Sequence, residues 1–185
     1  MKFGVSMWSA TTVPIFHSAT ANNLIIENIF NPNISPVVLN SYDSGAHTGL
    51  ELGLNFTPAV NGYVTGVKFY KGSNNTGTHI GNLWSANGTL LNTVVFAGET
   101  ASGWQNQAFP SQTAVIGGNI YVISYHLFSN YYAADAIYNW PVVSGDLTAP
   151  AGNNGVYSYG SANSVFPTNV YNSANYWVDV DFVKV

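Results

Sequence analysis

After residue 48 short runs with strand signals, several of them alternating apolar and polar residues, follow one another closely between turn residues. Leu52, Leu54 and Phe56 alternate with Gly53 and Asn55, which predicts a strand with one buried face. Residues 64–70 predict a second strand, with Val67 and Phe69 on one face. Residues 79–86 and 89–96 flank Asn87-Gly88, the strongest short-range signal for a β-hairpin. Residues 104–109 and the almost continuous β run 120–128 follow. In the final segment, 176–185, Val178, Val180 and Phe182 alternate with Trp177, Asp179 and Asp181. Gly72, Gly77, Gly117-Gly118, Gly145, Gly152 and Gly155 punctuate these runs as turns. No amphipathic helix longer than a turn or two is legible, and no repeat of 20–50 residues occurs. Short, evenly spaced strands predict an all-β fold: a two-sheet antiparallel β-sandwich, jelly-roll-like, over residues 49–185.

Residues 1–48 read differently. Pro14, Pro32 and Pro36 interrupt them, and only 24–26 and 37–39 carry short strand signals. Their apolar and aromatic content is too high for a disordered tail. They are expected to form an extended N-terminal arm lying on its own domain or on a neighbouring subunit. Ser6, Ser9, Thr11, Thr12 and Pro14 break the apolar stretch 3–16, which argues against an export signal.

Composition narrows the chemistry. Only 6% of residues are charged and 15% are aromatic; there is no arginine and no cysteine, and the net charge is −4. Nucleic acid is not an expected partner, because no basic stripe exists to neutralise phosphates. Neither is a membrane, because no run of 18 apolar residues occurs. Absence of cysteine removes disulfides, zinc ribbons and thiol nucleophiles. The four histidines, at 17, 47, 79 and 126, have no metal-like spacing, and no calcium-loop motif occurs. No metal site and no cofactor are expected; the one metal alternative is a structural calcium on acids such as Asp43, Glu99, Asp135, Asp146 and Asp179.

Catalytic arrangements are thin. His126 and Asp135 could join a serine in a triad, but no serine has the Gly-x-Ser-x-Gly context of a nucleophile elbow. Asp179 and Asp181 could act as a carboxylate pair at i, i+2. The plainer reading makes them an exposed acidic strand face that discourages edge pairing. The chain is not expected to be an enzyme.

The aromatic group Tyr131, Tyr132, Tyr138 and Trp140 is the candidate binding feature. Flat rings can lie on the apolar face of a sugar while neighbouring amides and acids take its hydroxyls. The plainer alternative is that these rings cap the sandwich core, and it is the stronger one for Trp140, which precedes Pro141.

Several stretches, taken together, carry a family resemblance. They are 66–72 (GVKFYKG), 75–84 (NTGTHIGNLW), 99–105 (ETASGWQ), 121–126 (YVISYH), 132–135 (YAAD), Pro150-Ala151 with 154–157 (NGVY), and 175–180 (NYWVDV). In this order and spacing, across about residues 49–183, the chain resembles the uncharacterised family called domain of unknown function 4082. The resemblance implies an all-β, jelly-roll-like module of the kind found in large secreted bacterial proteins, beside immunoglobulin-like repeats and carbohydrate-active domains. It implies no catalytic residues. The single copy, the weak export signal and the arm depart from that setting.

Two functions are therefore expected. One is a structural protein of a particle surface: a phage capsid decoration or cement protein on the virion. Its arm would clamp shell or coat subunits, and copies of itself would form a homotrimer. The other is a carbohydrate-binding or adhesive module, extracellular or on a cell surface, with a glycan as partner.

Overall fold

The computed structural model describes residues 25–45, 48–152 and 154–185. Among these residues thirteen strands follow one another: β1 Ser41–Tyr42, β2 Leu50–Pro58, β3 Gly62–Lys71, β4 His79–Ser85, β5 Leu90–Val95, β6 Gly103–Val115, β7 Tyr121–Leu127, β8 Tyr131–Tyr132, β9 Val142–Ser144, β10 Leu147–Ala149, β11 Gly155–Tyr159, β12 Asn169–Val170 and β13 Val178–Lys184. The large sheet runs β12-β11-β2-β7-β4-β5, with β10 and β9 continuing from the far end of β2. The small sheet is β13-β3-β6, and β1 pairs with β8 separately. Every pairing between these strands is antiparallel. The fold is the expected all-β sandwich.

Alternation explains the layers. Leu50, Leu52, Leu54 and Phe56 of β2 stand opposite Leu127, Tyr125, Ile123 and Tyr121 of β7, and all face the core. The small sheet answers with Val64, Val67 and Phe69 of β3 and Val178, Val180 and Phe182 of β13. Val64 and Val67 both reach the core although three residues apart, because Thr65 is an extra residue on β3: Gly66 pairs with Asp181 and Val64 with the adjacent Phe182 of β13. The β4–β5 hairpin turns at Asn87-Gly88 as expected, with Gly88 at φ 86°, a conformation that suits a residue without Cβ. Asn92 of β5 ties the two sheets together by donating to the Ser111 carbonyl and the Thr113 hydroxyl of β6.

The described part of the arm lies on its own sandwich. Ile29 and Phe30 are buried in the core, so the packed unit begins ahead of residue 49. The strands expected at 24–26 and 37–39 do not form within the described residues (Leu24 lies outside them). Instead Glu27 makes an isolated bridge to Phe182, and the backbone N–H groups of Val37 and Val38 donate to the Asp135 carboxylate. A side-chain acceptor has taken the donors that a strand would have used.

A second correction concerns Asp179 and Asp181, which are not an exposed edge. They are 1% and 5% exposed. Asp179 accepts from the backbone N–H groups of Ile29 and Phe30 at 2.8 and 2.9 Å. Asp181 accepts from Asn28 and pairs with Lys68 at 2.9 Å. The acids hold the arm along β13, and the arm protects that sheet edge.

Candidate functional site: a tyrosine-lined pocket

The large sheet is wider than the small one, so part of its inner face has no second sheet above it. The register decides which side chains stand there. Tyr157 of β11 pairs with Leu52, and Tyr159 pairs with Leu50. Paired residues share a face, so both tyrosines point inward beside the two leucines. Val170 of β12 pairs with Val156, whose side chain lies on the opposite face, and alternation brings the following Tyr171 to the inner side. The short β1–β8 pair covers this region from above and supplies Tyr42 and Tyr132.

A cavity of about 300 Å³ remains between them. Leu50 and Leu52 form its apolar floor, and Tyr132, Tyr157, Tyr159, Tyr171 and Tyr176 stand around it, with Tyr42, Asp43 and Ser44 at the rim. The rings meet edge to face. Tyr132 and Tyr176 lie 6.0 Å apart at 69°, Tyr157 and Tyr176 6.4 Å apart at 72°, and Tyr157 and Tyr159 5.5 Å apart at 71°. The Tyr159 hydroxyl donates to Asp43 at 2.5 Å, and the Gly45 N–H donates to the other oxygen of that carboxylate.

The hydroxyls of Tyr132, Tyr157, Tyr171 and Tyr176 make no hydrogen bond to another described residue. A phenol at a cavity wall retains one donor and two acceptor sites for whatever enters. Burial pushes the Tyr176 phenol well above its ordinary range, and the neighbouring tyrosines add to that shift. Burial also raises Tyr132, with Asp43 next in importance. The hydrogen bond to Asp43 is the main cause of the rise at Tyr159. The phenols of Tyr132, Tyr159 and Tyr176 are therefore neutral at physiological pH.

Residues 36–178 match the family described as Domain of unknown function (DUF4082). The chain belongs to this family. The matched segment takes in Tyr42, Asp43, Tyr132 and Tyr157 to Tyr176, so the whole pocket lies within the DUF4082 domain. It also begins within the arm, at Pro36, in keeping with an arm that is packed as part of the domain. No curated protein matches the chain.

The four aromatic residues singled out in the sequence separate into two places. Tyr132 lines the DUF4082 pocket, and Tyr131 packs its ring 4.9 Å from that of Tyr42 at the rim. Tyr138 and Trp140 lie elsewhere. Their rings lie 4.8 Å apart, tilted at 52°, and pack against Phe30 of the arm, and the Trp140 indole donates to the Ser173 carbonyl. They form the seat of the arm, the capping role weighed for Trp140. Sequence reading missed Tyr42, Asp43, Tyr157, Tyr159, Tyr171 and Tyr176. The usable signal was Tyr157-x-Tyr159, two rings on one strand face.

The polar residues considered for catalysis are engaged elsewhere. Asp135 binds Val37, Val38 and the Trp177 indole, and is not joined to His126. His126 is fully buried and bonds Glu51 at 3.1 Å. Ser124 donates to the same carboxylate at 2.5 Å and accepts from the Trp84 indole. The hydroxyl thus points at the acid and not at the imidazole, and no nucleophile–base bond exists between them. Residues 164–166 lie over this set; the Val165 N–H reaches Glu51 and the Phe166 ring packs on Trp84. Glu99 binds Lys71 at 2.7 Å and His79 at 2.8 Å. Each of the eight carboxylates of the chain is committed to a partner within it.

Proposed function

We propose that this DUF4082 chain is a non-catalytic adhesive module of an outer surface, cellular or viral, that holds a sugar in the tyrosine-lined pocket. The observation that carries the reading is the group of four phenol hydroxyls that bond no other described residue, gathered over the apolar floor of Leu50 and Leu52. Rings and floor can take the C–H face of a pyranose while the hydroxyls meet its edge. A glycan array probed with the parent chain and with Tyr157→Ala tests it. Binding to a defined set of glycans in the parent, lost in the folded variant, supports the reading. Binding that survives the substitution moves the site elsewhere.

A second role, decoration of a particle shell as a homotrimer, draws on a different observation. Ile25, Ile26, Val37, Ile137 and Val143 are exposed, Val37 by 88% and Ile137 by 84%. Exposed aliphatic side chains of this kind are what a surface covered by shell subunits or by other copies of the chain would carry. The clamp is expected of the arm, residues 1–48, of which 1–24, 46 and 47 lie outside the described residues. Light scattering on the parent and on Val37→Asp measures this role: a trimer lost in the variant favours it, and a monomeric parent opposes it.

A further inference from the structure

We infer that the tyrosine pocket recognises its sugar through a positively charged nitrogen, that is, an amine-bearing pyranose at the end of a glycan. The inference rests on the glycan reading above and names the class of sugar.

The first ground is the set of groups on offer. Among the described residues lining the cavity, the polar atoms are phenol hydroxyls, the Ser44 hydroxyl and the Asp43 carboxylate. No asparagine, glutamine, lysine, arginine or histidine stands among them. A neutral sugar presents adjacent hydroxyls that need both donors and acceptors, commonly side-chain amides. Asparagine is abundant in this chain, yet none of the described lining residues is one. What the described lining provides instead is hydroxyls, one carboxylate and, above all, aromatic faces.

The second ground is the arrangement of the rings. Three contacts between 5.5 and 6.4 Å, at 69–72°, set neighbouring tyrosines as adjoining walls of a box. The face of an aromatic ring carries the negative end of its quadrupole, and a cation within about 6 Å of several centroids is attracted by each. The third ground is size. A cavity of about 300 Å³ is at the lower limit for ligand sites and suits one ring rather than a chain of them.

Isothermal titration with two oligosaccharides of equal length decides the matter: β-1,4-linked glucosamine with free amines, and its fully N-acetylated counterpart. Choline serves as a cation without a sugar. The expected result is binding of the amine oligomer about tenfold or more tighter than the acetylated one, the equivalent of one favourable cation–ring contact. Asp43→Asn and Tyr171→Leu, at exposed or half-exposed positions where folding is secure, are each expected to narrow that ratio. Equal or tighter binding of the acetylated oligomer overturns the charged-nitrogen inference and leaves the glycan reading standing. Binding of choline with neither sugar upholds the cation and overturns the glycan reading. No binding of any of the three overturns both.

Discussion

Asp179 illustrates how this chain uses its few charges. Its carboxylate is buried, and it accepts backbone N–H groups from Ile29, Phe30 and Val180. Burial pushes its carboxyl up to about 7, against the pull of those three donors and of Lys68. The folded chain therefore binds a proton that the unfolded chain, with an ordinary value of 3.8, has already released. Stability from this group is fully present below that ordinary value and is lost as pH rises through about 7. His79 works in the opposite direction. Burial lowers its pKa below 6.5, so its contribution is full above 6.5 and is lost as pH falls beneath it. Asp179→Asn removes only the component that falls with pH. Unfolding midpoints measured between about pH 4 and 8 are then expected to rise more steeply with pH in the variant than in the parent. An identical slope in the two proteins contradicts this assignment.

At the scale of elements, the arm and β13 form one unit. Phe30 sits 5.2 Å from Trp177 and within 6.4 Å of Trp104, Tyr138 and Trp140. Phe30→Ala is expected to cost about 3–5 kcal/mol, the usual range for emptying a buried aromatic site. Chemical denaturation measures it; a loss below about 1 kcal/mol means that the arm is a passive cover. This contact also shows what could be read in advance. Strands β2, β4, β7 and β13 were legible because side-chain alternation and turn residues are local. The path of the arm was not, because Asp179 and Asp135 hold it over more than 95 residues of sequence. Asp179 and Asp181 looked like a solvated edge for the same reason: nothing near them in sequence announces the backbone donors they receive. The pocket was half legible. Tyr132 stands out in an aromatic run, whereas Tyr157, Tyr159 and Tyr171 become a site only when β11 and β12 add to the edge of β2.

Across the whole molecule, polar chemistry is divided between two tasks. The carboxylates, Lys68, Lys71 and Lys184 hold segments together through internal pairs. Phenol hydroxyls, grouped where the small sheet ends, are the groups that in the proposed role face an incoming sugar. The account stands on that division, and NMR of the chain carrying ¹³C-labelled tyrosine tests it most directly. On titration with the glycan that binds, the ring signals of Tyr132, Tyr157, Tyr171 and Tyr176 are expected to move together, while those of Tyr63, Tyr70 and Tyr121 stay in place. Saturable binding that leaves those four unmoved, or that shifts Tyr63 and Tyr70 instead, contradicts the account.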